Sequence, residues 1–105
     1  MSGFVTVARL DALEENRLHS VEVEGRQVVL VRQAEAVYAL EDRCSHEEFP
    51  LSEGEVTGNQ VTCALHGARF ELATGRPKAL PAVLPVKTYE CRVDGDEVQI
   101  KLDES

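Results

Sequence analysis

Residues 43–70 read R-C-S-H-E-E-F-P-L-S-E-G-E-V-T-G-N-Q-V-T-C-A-L-H-G-A-R-F and contain two short boxes of metal-ligating residues. The boxes are C-S-H at 44–46 and C-A-L-H at 63–66, with sixteen residues between them. Alone, each cysteine or histidine would more often be a buried thiol or a surface side chain. Together the boxes use two of the three cysteines and two of the three histidines. The spacing therefore predicts one metal site with the ligands Cys44, His46, Cys63 and His66.

The composition of the two boxes bears on which metal they bind. Zinc accepts two cysteines and two histidines, but in zinc fingers the cysteines usually form one pair and the histidines another. Here each box holds one of each. Mixed boxes favour a binuclear site in which one iron binds both thiolates and the other binds both imidazoles, as in Rieske 2Fe–2S clusters. A zinc-binding structural module is the alternative.

The rest of the chain predicts a single small all-β domain. Its 105 residues suit one core, and no run with the helical period has a useful length. The segment 76–85 holds three of the four prolines, which predicts an extended loop rather than a central strand. Gly58-Asn59 and Asp94-Gly95 mark tight turns. Apolar patterns predict short strands at Phe4–Leu10, Leu18–Glu24, Arg26–Arg32, Val37–Leu40, Val86–Val93 and Glu97–Leu102. The second and third form a hairpin at Gly25, and the run V-V-L-V at 28–31 predicts that the third strand is buried.

Charge and composition exclude several partners. The formal charge of −8 repels phosphate backbones, so we expect no nucleic-acid partner. No stretch approaches the ~20 apolar residues that a membrane helix needs. The N-terminus lacks a basic region followed by an apolar run, so we expect a cytoplasmic protein without a secretory signal. Three cysteines do not make a disulfide framework, which fits that compartment.

The two boxes and the residues after them, C-S-H-E-E-F-P-L-S-E-G and C-A-L-H-G-A-R-F-E-L-A-T-G-R-P, resemble the cluster-binding loops of a Rieske-type 2Fe–2S ferredoxin. The resemblance covers nearly the whole chain and is strongest to the ferredoxin components of bacterial aromatic-ring-hydroxylating dioxygenase systems. It implies one Rieske domain over 1–105. Within it, an antiparallel β-sandwich base of about 1–42 and 72–105 would carry an inserted cluster-binding subdomain of about 43–71.

The resemblance also implies ligand roles and a function. Cys44 and Cys63 would hold the inner iron, and His46 and His66 the outer iron near the surface. The chain would be an electron-transfer component and not an enzyme, with no catalytic residue. It would pass single electrons from an NAD(P)H-dependent flavoprotein reductase to a terminal aromatic-ring oxygenase through transient complexes. The small subunit of an assimilatory nitrite reductase is a second alternative.

Ligand charge and sequence departures predict the reduction potential. Two neutral imidazoles make the oxidised cluster neutral, whereas four thiolates would make it −2, so histidine ligation raises the potential. Respiratory Rieske proteins have a disulfide between the loops, but Phe49 and Leu65 occupy those positions here. Respiratory proteins also have a serine and a tyrosine that donate hydrogen bonds to sulfur, where this chain has Ala68 and Phe70. The missing donors predict a potential at the low end of the Rieske range.

Further residues carry weaker predictions. We expect Gly67 to let the backbone pass close to the cluster, Cys91 to face the core as a small hydrophobe and His19 to lie at the surface or rim. Acidic residues within or beside the first box are predicted to steer a basic partner toward the electron exit; these are Glu47, Glu48, Glu53 and Glu55.

Overall fold

The protein is described by a computed structural model that covers residues 3–43, 50–64, 67–79 and 85–102. Within those ranges the chain forms ten β-strands and two short 3₁₀ turns, Leu10–Ala12 and Leu51–Glu53, and no α-helix, which confirms the predicted all-β class. No helix in these ranges is long and apolar enough to cross a membrane. The strands are β1 Phe4–Arg9, β2 Leu18–Val23, β3 Arg26–Gln33, β4 Ala36–Glu41, β5 Glu55–Thr57, β6 Gln60–Thr62, β7 Arg69–Glu71, β8 Pro77–Ala79, β9 Thr88–Asp94 and β10 Glu97–Lys101.

The hairpins follow the turn residues of the sequence. Gly58 and Asn59 connect β5 to β6, as predicted, and Gly58 has a φ of +60°. The β9–β10 hairpin is also confirmed, but its two turn residues are Gly95 and Asp96, because Asp94 pairs with Glu97. Gly95 takes the left-handed conformation, with a φ of +63°. Each of these two turns therefore has a glycine, which lacks a Cβ, at a position where a two-residue hairpin needs positive φ.

The strands form a six-stranded sheet, in the order β1-β10-β9-β4-β3-β2, and a four-stranded sheet, in the order β5-β6-β7-β8. All strand pairs within them are antiparallel. In the larger sheet β4 lies beside β9, although the whole small sheet lies between them in sequence. The small sheet is therefore an insertion between two neighbouring strands of the larger one. It uses residues 55–79, whereas the subdomain bounds of about 43–71 stay a prediction.

The proline-rich segment contributes one edge strand. Pro77–Ala79 forms β8, which pairs with β7 at the border of the small sheet. The predicted extended loop is therefore wrong for residues 77–79, because they form a strand. That strand lies at the edge of its sheet and not at the centre, as proline requires because it cannot donate to a ladder. Residues 80–84 of the segment lie outside the described part of the chain.

The core consists of two groups of buried residues on opposite faces of β3. Val28 and Leu30 belong to one group and Val29 and Val31 to the other, and none of the four is exposed to solvent. Because alternate side chains of a strand point to opposite faces, β3 is covered on both sides. The group around Val29 and Val31 also contains the buried residues of the small sheet. This shared core fixes the small sheet against one face of the large sheet.

Candidate metal centre

The structure places one of the four predicted ligands. Cys63 follows β6 directly, and its residue is 1% exposed. Cys44, His46 and His66 fall in 44–49 and 65–66, outside the described residues. In the ranges that are described, no group of three or more histidine, cysteine or acidic side chains is arranged to hold a metal ion. The four-residue ligand set therefore stays a prediction, and Cys63 is the one predicted ligand whose surroundings the structure describes.

The turn after Cys63 is closed by two backbone hydrogen bonds. The Cys63 amide donates to the Ala68 carbonyl oxygen at 2.7 Å, and the Gly67 amide donates to the Cys63 carbonyl oxygen at 3.0 Å. Gly67 has a φ of +76°, which residues with a side chain rarely adopt. No described atom lies within 4 Å of a Cβ added to Gly67, so its left-handed conformation is the observed reason for glycine. The predicted close approach to the cluster is not tested.

The side chains around Cys63 are apolar and buried. Val61 pairs with Phe70 across β6 and β7, and the Cys63 amide binds Ala68. All four residues belong to one buried group and are at most 1% exposed, whereas the intervening Arg69 is exposed. By strand alternation they share the inner face of the small sheet. The thiol therefore lies in apolar surroundings to which Ala68 and Phe70 contribute no hydroxyl.

Three segments lie outside the described residues, and members of this same buried group lie two positions from their ends. Leu51 lies two positions after residue 49, Cys63 and Ala68 lie two positions outside 65–66, and Val86 lies two positions after residue 84. Val86 is fixed further, because its amide donates to the Gly75 carbonyl oxygen at 2.9 Å. The fold thus brings the flanks of both boxes and of the proline-rich segment to one region. This placement of the flanks suits a site that collects ligands from both boxes.

Sequence reasoning missed Asp42, which lies two residues before Cys44. Its residue is 8% exposed, and its carboxylate accepts hydrogen bonds from Ser20 and Ser52. The acid follows the apolar strand β4 directly, which could have drawn attention to it. The partner residues lie 22 and 10 positions away, so no local pattern could have identified them.

The remaining predicted residues lie apart from this group. Cys91 is half-buried and packs against the other core group, which confirms that it faces the core; burial raises the pKa of its thiol to about 11. His19 is half-buried in β2, and its Nε2 accepts a hydrogen bond of 3.1 Å from the Glu14 amide. Glu53 and Glu55 are exposed, while Glu47 and Glu48 lie outside the described residues.

Comparison with known proteins identifies the class to which this fold and this buried thiol belong. The model of the Rieske [2Fe–2S] domain family matches residues 3–90. The chain therefore belongs to the Rieske [2Fe–2S] domain family, and one Rieske-type 2Fe–2S cluster is its cofactor. The family resemblance found in the two boxes is confirmed. The zinc alternative is not supported, because the matching family is an iron–sulfur family.

Individual relatives narrow the class further. The ferredoxin component of biphenyl 2,3-dioxygenase from Rhodococcus jostii (strain RHA1) is 40% identical over 81 residues, 76% of each chain. The solved ferredoxin of carbazole 1,9a-dioxygenase from Nocardioides aromaticivorans IC177 is 40% identical, with a TM-score of 0.89 over 92% of this chain and 95% of that one. These proteins are ferredoxin components, so the comparisons support an electron carrier that is not itself the catalyst.

Two further solved structures bear on the partner. One is a complex of reduced oxygenase and oxidized ferredoxin in carbazole 1,9a-dioxygenase, whose matching chain is 28% identical with a TM-score of 0.88 over 93% of this chain and 92% of that one. The other is a putative nitrite reductase NADPH small subunit, 25% identical with a TM-score of 0.82 over 93% of this chain and 97% of that one. The nitrite reductase alternative is thus the weaker match.

Proposed function

We propose that this chain carries single electrons from an NAD(P)H-dependent flavoprotein reductase to a terminal aromatic-ring oxygenase in the cytoplasm. The observation that carries the proposal is a buried cysteine in a closed turn of a Rieske domain. When bound, the 2Fe–2S cluster takes up and gives back one electron. The oxygenase as partner is supported by relatives that are dioxygenase ferredoxins and by a neighbour solved together with its oxygenase. The reductase follows from the need for an electron source.

The proposed ligands are Cys44 and Cys63 for one iron and His46 and His66 for the other. Thiolate is a soft ligand that suits iron–sulfur clusters, and imidazole suits iron, so the donors of the two boxes fit the family's cofactor. The burial of Cys63 and the hydrogen bonds of its backbone to Ala68 and Gly67 support the assignment. The fit rests on these donors and on the closed turn.

The described residues around Cys63 affect the reduction potential. Val61, Ala68 and Phe70 are buried in one group with Cys63, out of contact with water. In such a low-dielectric setting, adding negative charge on reduction costs more than at the surface. Because neither Ala68 nor Phe70 can donate a hydrogen bond, nothing from these two side chains offsets that cost. We therefore expect a potential around −150 mV, at the low end of the Rieske range.

The ligand proposal is tested by exchanging cysteines one at a time. Cys63→Ser should abolish the visible 2Fe–2S spectrum and electron transfer, because a hydroxyl replaces thiolate poorly. Cys91→Ser is the matched control, since Cys91 packs against the other core group, and it should keep two irons and two sulfides per chain. A normal spectrum in Cys63→Ser, or in Cys44→Ser, His46→Ala or His66→Ala, would overturn the ligand set.

The partners are tested by reconstitution with purified components. Electron transfer from NADH or NADPH should need a flavoprotein reductase, this chain and an aromatic-ring oxygenase, and it should be measured as substrate-dependent oxygen uptake. A panel of reductases and oxygenases identifies the pair that works fastest. Efficient reduction of a nitrite reductase large subunit, with no transfer to any oxygenase of the panel, would replace the proposal with the weaker alternative.

We also propose that acidic residues around the first box steer the partners. The double exchange Glu47→Lys and Glu48→Lys should slow transfer at low salt, and the difference should shrink as the Debye length falls from ~10 Å at 0.1 M to ~3 Å at 1 M. Asp94→Lys with Asp96→Lys makes the same charge change at two exposed residues of the β9–β10 hairpin, whose outer neighbour is β1. Equal slowing by both pairs, or rates independent of salt, would contradict steering by this box.

A further inference from the structure

Asp42 is the one charged side chain that is buried among the residues described by the structure, at 8% exposure. A buried carboxylate is costly unless hydrogen bonds satisfy it. Here Oδ2 accepts the hydroxyls of Ser20 and Ser52, each at 2.8 Å, and Oδ1 accepts the Ser52 backbone amide at 2.7 Å. Two of the three donors therefore come from the single residue Ser52.

Asp42 is itself fixed to the large sheet. Its amide donates to the Gln27 carbonyl oxygen at 3.0 Å, and the amide of Glu41 donates to the Lys87 carbonyl oxygen at 2.8 Å. The chain is thus held on both sides where β4 ends and the first box begins. The carboxylate is an extension of the rigid sheet, and not a side chain on a free loop.

Ser52 lies on the other side of the first box in sequence. It lies in the 3₁₀ turn Leu51–Glu53, whose first residue is fully buried in the core group that contains Cys63. The hydrogen bonds that Ser52 donates to Asp42 therefore join two residues ten positions apart, with Cys44 and His46 between them in sequence. Holding both ends of a loop removes much of its conformational freedom. Charge-assisted hydrogen bonds, such as these two, are the stronger kind.

We propose that Asp42 is a positioning residue. Its hydrogen bonds with Ser52, the Asp42 clasp, hold together the two described flanks of the first box, so that Cys44 and His46 stay in place to bind the metal. The inference rests on the ligand set of the proposed function. It assigns to Asp42 no contact with the cofactor and no proton transfer. Its effect is to slow the separation of Asp42 from Ser52.

The two serines provide a matched pair for the test. Ser20→Ala and Ser52→Ala each remove one hydroxyl at 2.8 Å from the same oxygen of Asp42, but Ser52 alone lies on the loop. With the cluster-loaded protein in the presence of an iron chelator, decay of the visible circular dichroism gives the rate of cluster loss. Ser52→Ala should lose the cluster about tenfold faster, about 1.4 kcal/mol in the barrier, whereas Ser20→Ala should change the rate far less.

Two further measurements separate a clasp from general destabilisation. Ser52→Thr keeps the hydroxyl and should restore the slow rate. Hydrogen exchange of β9 and β10 in the loaded protein should be the same in both alanine variants, and the EPR spectrum of the reduced cluster should change only in Ser52→Ala. Equal rates and spectra for Ser20→Ala and Ser52→Ala, or no rescue by threonine, would overturn the clasp. Retention of the cluster in Cys44→Ser or His46→Ala would instead overturn the ligand set.

Discussion

The exchange Phe70→Tyr tests how the apolar wall beside Cys63 sets the reduction potential. Phe70 is fully buried in β7 and pairs with Val61 of β6, two residues before Cys63. Diagonal neighbours in an antiparallel pair are ~7–8 Å apart, within reach of an aromatic side chain. Phe70 and Cys63 also share the inner face of the small sheet. A hydroxyl at the end of the ring should therefore reach the Cys63 sulfur.

The expected shift follows from the value of one hydrogen bond. A donor to the sulfur favours the reduced, more negative state, and a net gain of ~1 kcal/mol is typical. For transfer of one electron, about 1.4 kcal/mol corresponds to about 59 mV. The potential of Phe70→Tyr should therefore rise by roughly 40 mV, from a starting value around −150 mV.

The assay is a redox titration of both proteins, followed by visible circular dichroism. Phe4→Tyr is the matched control, because Phe4 lies on β1 with Arg92 stacked 4.0 Å from its ring centre, and it should leave the potential unchanged. An unchanged or lower potential in Phe70→Tyr would refute the argument from missing donors. A potential above zero in the unaltered protein would refute it as well.

Three more predictions concern stability and reactivity. In Gly54→Ala the new Cβ would overlap the Thr62 carbonyl oxygen. We expect the free energy of chemical unfolding to fall by about 1–3 kcal/mol and the cluster to be lost faster, because Cys63 follows Thr62. A free energy of unfolding equal to that of the unaltered protein would contradict the packing. Gly67→Ala meets no described atom and should cost about 1–2 kcal/mol from its positive φ alone, a value that a denaturant midpoint would check. Burial raises the pKa of the Cys91 thiol from 9.0 to about 11, so the rate of its reaction with iodoacetamide should rise tenfold per pH unit up to about pH 11. The pKa is raised only in the folded state. The contribution of this thiol to the free energy of unfolding is therefore complete below pH 9 and is lost as the pH rises through 11.

Local sequence signals were enough for the hairpins and for the buried strand. Four apolar residues in succession, V-V-L-V at 28–31, predicted a buried strand, and the structure shows why no alternation occurs: a core group lies on each face. Glycine marked the β5–β6 and β9–β10 turns, because positive φ is a local requirement, whereas the β3–β4 turn at Ala34-Glu35 has no glycine and gave no such signal. The two boxes were enough to identify the family, because metal ligation restricts both the type of residue and the spacing.

Non-local contacts had no such signal. The pairing of β4 with β9 joins Ala39 to Tyr89 and Leu40 to Thr88, and nothing in either strand specifies the other. The edge strand β8 lies in a proline-rich segment whose propensity disfavours strands; pairing with β7 overrides it. The Asp42 clasp depends on serines from two different elements, and no local pattern links either of them to Asp42.

The central claim is a 2Fe–2S electron carrier with two thiolate and two imidazole ligands, and pulsed EPR of the reduced protein with ¹⁵N-labelled histidine tests it most directly. We predict one paramagnetic centre per chain with hyperfine coupling to two histidine nitrogens, and no such centre in His46→Ala or His66→Ala. A paramagnetic cluster without histidine coupling, or a colourless zinc protein with no signal, would contradict the account.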